Sequence, residues 1–139
     1  MQHSKTTKKL GRTKSHREAM VKNMLRSFFT HERIRTTISK AKYVKRFAER
    51  LINFAQDKSV ASNRLLFQYL QDRKLVKYVV DEVGPRFKDY KGGFTRILKL
   101  GTRPGDSAEM ALLEMVIKNP KHIEEKSKAA PAKKEATKK

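Results

Sequence analysis

A chain of 139 residues with 34 Lys and Arg against 14 Asp and Glu carries a formal charge of +20; it is long enough for one domain with a core and far more basic than solubility requires. The absence of cysteine excludes a disulfide framework, a thiolate zinc site and a cysteine nucleophile. No apolar stretch approaches the roughly 18 residues of a membrane span, and the basic N-terminus lacks the apolar core of a signal peptide, so the expectation is a soluble intracellular protein whose partner is a polyanion, nucleic acid first.

The charge is uneven. Met1 to Arg17 holds six Lys or Arg and no acid, Glu18 to Ile117 holds 20 bases and 11 acids, and Lys118 to Lys139 holds eight bases and three acids. A folded body with cationic extensions fits this distribution: a basic arm over 1–14, a single domain over 15–117 and a Lys/Ala-rich tail over 118–139, too poor in apolar residues to fold. In the arm, Lys5, Lys8, Lys9, Arg12 and Lys14 alternate with small polar residues that permit close backbone approach. An arm that orders on RNA and a solvated tail both fit that composition. His3 and His16 lie among the cations as stacking or phosphate-contact groups, with plain solvent exposure as the alternative.

Ser15-His16-Arg17-Glu18 matches a capping box and predicts a helix start. Met20, Val21, Met24, Leu25, Phe28 and Phe29 then recur at helical spacing to near His31, a core stripe with Lys22 and Arg26 on the other side. Arg33 to Ile38 changes to alternation and predicts a short strand, with Arg33 and Arg35 directed away from the better buried face. A second helix over about 39–56 has the strongest periodicity in the chain: Val44, Phe47, Ala48, Leu51, Ile52 and Ala55 form one arc, and Lys42, Lys45, Arg46 and Arg50 the other, interrupted only by Glu49. With so basic a chain, that face reads as a phosphate-binding surface rather than a merely solvated one.

Ser59 and Asp72 are candidate caps for two shorter helices, the second expected to stop at Gly84-Pro85. A DNA-binding architectural or regulatory protein using the 59–82 helices is the alternative reading, weakened by Asp81 and Glu82 on the second helix. Arg86 to Lys91 is a basic, aromatic link. Two apolar runs, Phe94 to Leu100 and Met110 to Ile117, flank a turn containing Pro104-Gly105, suited to a type II turn, and so predict an antiparallel hairpin joined by the Arg33 strand. The second run has apolar residues on both sides, which predicts a strand covered on both faces. Arg96, Lys99 and Arg103 are the hairpin's own candidate contacts.

The histidines have no metal-ligand spacing, no nucleotide-binding loop or nucleophile elbow is present, and no pair of acids is placed in a cleft. The expectation is therefore no enzyme, no metal and no cofactor. The rival from the enzyme class, an RNA-modifying or RNA-cleaving protein, has no residues to carry it.

Three blocks, KLGRTKSHREAM at Lys9 to Met20, HERIRTTISKAK at His31 to Lys42 and GGFTRILKLGTRPGDSAEMALLEMV at Gly92 to Val116, resemble the bacterial large-subunit ribosomal proteins of the seventeenth family. Gln2 and Ser4 depart from that family's pattern, where arginine is usual, as does Thr7-Lys8, where a Gly-Arg pair is common. The resemblance implies an α+β fold, with a small mixed three-stranded sheet packed between helices in the order α-β-α-α-α-β-β. It further implies a cytoplasmic, ribosome-bound protein near the exit end of the peptide tunnel, without catalytic activity or small-molecule substrate. Large-subunit ribosomal RNA and neighbouring large-subunit ribosomal proteins are the implied partners. The candidate RNA contacts are then His3, Lys5, Lys8, Lys9, Arg12, Lys14, His16 and Arg17 in the arm and first helical turn. Lys22, Arg26, Arg33, Arg35, Lys40, Lys42, Lys45, Arg46, Arg50, Arg96, Lys99 and Arg103 are those on the body.

Overall fold

The computed structural model describes residues 8–119, so His3, Lys5 and the tail beyond Asn119 lie outside the described residues. The order is α1 (Lys14–His31), β1 (Arg33–Thr37), α2 (Ile38–Gln56), α3 (Val60–Leu70), α4 (Arg73–Tyr78), a π-helical turn (Val79–Val83), α5 (Gly84–Arg86), β2 (Thr95–Thr102) and β3 (Glu109–Met115). The expected α+β class and element order hold. The sheet, however, is antiparallel throughout rather than mixed: β3 lies in the centre, with β1 on one side and β2 on the other.

That central position explains why β3 is the most apolar strand. Its register sets Leu113 between Ile34 and Ile97, and Ala111 between Thr36 and Lys99. Ala111, Leu113 and Met115 are fully buried, and they meet the apolar arc of α2, where Ala41, Val44, Ala48, Leu51, Ile52 and Ala55 are all buried. Among the described residues, only this face of the sheet is covered. On the other, Arg33, Glu114 and Arg96 form one cross-strand row and Arg35, Leu112 and Leu98 the next, with Leu98 and Leu100 exposed. The expectation of a strand covered on both faces is thus corrected: Met110 and Leu112, two of its five apolar residues, lie on the sheet surface that the described residues leave open. Leu100 has no partner in the β2–β3 ladder, a bulge just before the loop.

Local details depart from the sequence pattern in instructive ways. Helix α1 starts at Lys14 behind an extended Thr13, without a side-chain cap, so the expected Ser15 capping box does not form. Ser59 and Asp72 do cap: Ser59 accepts from the Ser62 amide, and Asp72 accepts from the Lys74 and Leu75 amides. Pro104-Gly105 turns as expected, Gly105 taking the positive φ of 105° that a type II turn wants after proline.

Gly84-Pro85 is not a helix stop. Gly84 is αR, at φ −52° and ψ −52°, and the helical path continues to Arg86 with Pro85 in its first turn. The glycine serves a close approach instead: a Cβ on it would lie 2.2 Å from the Ala55 carbonyl oxygen. This contact lets α5 lie directly on the end of α2. It also seats the fully buried Phe87, whose ring packs edge-on against Phe94 at 5.4 Å between centroids.

The fold also reaches past Ile117. The Lys118 amine pairs with Glu114 at 2.5 Å, and the Asn119 amide donates to the Glu32 carboxylate at 2.8 Å, so the first two residues assigned to the tail belong to the domain.

Candidate nucleic-acid interface

Cations divide into those that the fold consumes and those it leaves to solvent. Glu32 anchors the first group. It ends α1 in the left-handed conformation at φ 55°, is only 2% exposed, and joins three distant parts of the chain. Its carboxylate accepts from the Tyr78 hydroxyl at 2.9 Å and pairs with Arg86 at 2.7 Å, while its backbone carbonyl accepts from the Met115 amide. Burial pushes the Glu32 pKa up, but the hydrogen bonds from Arg86, Asn119 and Tyr78 outweigh it and hold the carboxyl below the ordinary glutamate range. Burial, reinforced by the bond to Glu32, pushes the Tyr78 hydroxyl up. Nothing in the local sequence marks this junction, because Glu32 and Tyr78 are 46 positions apart.

Several candidate contacts also have intramolecular partners. Arg26 donates to the Leu70 carbonyl at 2.5 Å and to the Gln71 side chain, filling an acceptor that the end of α3 would leave open. Arg12 donates to the Leu10 carbonyl at 2.9 Å, and Arg17 reaches the Arg12 carbonyl at 3.2 Å, so these two arginines hold the turn that leads into α1. Arg96 pairs with Glu114 at 2.5 Å and Arg103 with Asp106 at 2.5 Å. Burial pushes Glu114 up, but the bonds from Lys118 and Arg96 dominate and keep it below its usual range. Asp106, an exposed side chain, is held down to about 2 chiefly by Arg103.

The second group is different in kind. Along α2, Lys42, Arg46 and Arg50 are exposed at successive intervals of four residues, a single row rising about 6 Å per step. None of the three has an ion-pair partner among the described residues. Glu49, the one acid expected to interrupt this face, is drawn aside: it accepts from Thr95 Oγ1 at 3.1 Å and pairs with Lys45 at 3.6 Å. Lys40 is half-buried in the first turn of α2, off the row. Lys8, Lys9, Lys14 and His16 are exposed at the start of α1, with Lys22 half-buried further along it; Arg33 and Arg35 project from the open sheet face, and Lys99 lies exposed on β2.

The geometry offers chemistry of one kind. No group of three or more His, Asp or Glu able to hold a metal occurs among the described residues. The helices of the DNA-reading alternative are poorly formed for it, since α4 has only six residues and the π-helical turn that follows buries Val79, Val80 and Val83. What remains is a set of fixed positive charges on rigid elements.

Comparison with known proteins identifies the framework that carries them. The family model described as ribosomal protein L17 matches residues 20–116. The chain belongs to the ribosomal protein L17 family. A large ribosomal subunit protein bL17 from Fusobacterium nucleatum subsp. nucleatum is 46% identical over 116 residues, covering 84% of this chain and 100% of that protein. A second bL17, from Geobacter metallireducens, is 42% identical over 132 residues, covering 95% of this chain and 74% of the relative. The L17 match bears out the family resemblance drawn from the three sequence blocks and the expectation that the chain is not an enzyme. The L17 match begins at Met20, so the exposed cations Lys8 to His16 precede it, whereas the α2 row lies inside it.

Proposed function

We propose that this protein is a structural component of the large ribosomal subunit that binds large-subunit ribosomal RNA by neutralising phosphates. The observation that carries the reading is the Lys42, Arg46 and Arg50 row. Three exposed cations without an ion-pair partner among the described residues, on a helix whose opposite side is the buried core, can meet a polyanion with little side-chain support to rebuild on binding. Arg33, Arg35, Lys8, Lys9, Lys14 and His16 extend the positive surface. Cations already spent on the fold, Arg12 and Arg26 foremost, act by shaping it. Membership in the L17 family and the names of its relatives support the large-subunit setting, with ribosomal RNA and neighbouring ribosomal proteins as the partners.

Phosphate neutralisation releases counterions, so affinity for a large-subunit RNA fragment should fall linearly on a log-log plot against salt. Changing Lys42, Arg46 and Arg50 together to Ala should flatten that slope by about 2 to 3. The melting temperature should barely move. An unchanged slope in the triple variant would remove the α2 row from the RNA surface.

A further inference from the structure

Residues of α3, α4 and the π-helical turn line an open groove of about 610 Å³ whose lining includes none of the cations assigned to the proposed RNA surface. Its apolar lining comes from Val60 and Phe67 on α3 and from Val76 and Val80 opposite, each set at helical spacing. Val60 is 68% exposed and Phe67 43%, so the face of α3 that should find a core finds solvent. The rim is cationic. Arg64, Arg73 and Lys77 line it with no ion-pair partner among the described residues, against a single acid, Asp81, at one end. A third feature points the same way: the Asn63 side-chain oxygen, also in the lining, is buried and accepts no hydrogen bond.

We infer that this groove docks an amphipathic, carboxylate-bearing helical segment of a neighbouring protein. Aliphatic side chains laid one turn apart along such a segment fill the valine-lined floor, and its carboxylates meet the three rim cations. An N–H donor of the segment reaches Asn63 Oδ1. A groove between two helices is the shape that receives an amphipathic helix. RNA fits less well, because bases gain by stacking on flat faces, and among the apolar lining residues only Phe67 provides one. The inference is independent of the proposed RNA binding and is tested without ribosomes.

The probe is a peptide of about 15 residues carrying leucines at i, i+4 and i+7 flanked by glutamates. It is titrated into the isolated full-length chain while backbone amide resonances are followed. Shifts should concentrate on α3 and α4. Phe67→Ser should weaken binding about tenfold and Lys77→Glu several-fold, both at unchanged melting temperature because both side chains are exposed. The same peptide with serine at the leucine positions should bind at least tenfold more weakly. Equal binding of the serine peptide would mean attraction by charge alone and would overturn the inference. So would a Phe67→Ser chain that binds as well as the parent, or a uridine oligonucleotide that displaces the peptide and shifts the same amides.

Discussion

The Glu32 junction and the α2 row use similar charged side chains to opposite ends. At the junction, Arg86 is drawn into the protein, pairs with a carboxylate that is 2% exposed, and so ties the end of α1 to α4 and to the chain beyond β3. On α2, Lys42, Arg46 and Arg50 are exposed and have no ion-pair partner among the described residues. The energetic consequences are asymmetric. A buried charge whose partner is removed leaves an uncompensated ion, whereas an exposed cation removed from a helix surface leaves only water. Stability therefore resides in the first region, and the second is where the proposed binding of a polyanion would cost the fold least.

The sharpest way to break this contrast is to remove one side of the junction. Glu32→Ala should cost about 3 to 5 kcal/mol by leaving Arg86 buried without its carboxylate, measured by thermal or urea unfolding. Glu32→Ala with Arg86→Met should recover part of that loss, because the second change removes the stranded charge. A double variant no more stable than the single one would show that Glu32 acts by packing rather than through the ion pair. Next in size is Gly84→Ala, which drives a methyl group into the Ala55 carbonyl and should cost about 2 kcal/mol or more, while leaving the salt dependence of RNA binding unchanged.

Acid separates the two regions without mutation. Glu32 and Glu114 are both held below the ordinary glutamate value of 4.5 in the folded protein, so the unfolded chain binds their protons more readily. Their contribution to stability is then fully present above about 4.5 and is lost as pH falls from there through the lower folded values. The chain should unfold more easily on that acid limb, and Glu32→Gln should flatten it. Lys42, Arg46 and Arg50 make no ion pair with either carboxylate, so replacing them should leave the shape of the curve unaltered. A smaller effect still is expected from the α2 triple variant on stability, within about 0.5 kcal/mol per residue.

What the sequence disclosed follows the same division. The α2 helix was legible because its buried arc and its cationic arc are both local patterns, each repeating every three or four residues. The core stripe of α1 and the caps at Ser59 and Asp72 were legible for the same reason. The junction was not, since Glu32 meets Tyr78, Arg86 and Asn119 only after the chain has folded. Gly84 misled in a related way: next to proline it reads locally as a helix end, whereas its place is decided by the backbone of α2 lying against it. The open sheet face was misread because β3 is almost uniformly apolar, and a strand's sequence does not tell a covered face from one partly shielded by long side chains. Among the candidate site residues, sequence could rank cations by position on a helix wheel but could not foresee that Arg26 would be engaged by the end of α3.

The smallest expected effect lies at the hairpin tip, where the contrast can be tested inside one ion pair. Arg103 and Asp106 are bonded at 2.5 Å and 3.0 Å, yet both are more than half exposed. Water screens such a pair, so its geometry matters more to the titration of Asp106 than to the fold. Arg103→Ala should let the Asp106 pKa climb from about 2 toward the ordinary aspartate value of 3.8, followed by NMR titration of its carboxyl. The Ala108 amide would still hold it partly down, since that bond does not depend on the arginine. Melting should be indistinguishable from the parent. If instead the chain became measurably less stable, the loop would be holding the β2–β3 hairpin together through this pair, and exposure alone would no longer separate the charges that build the fold from those left free to bind.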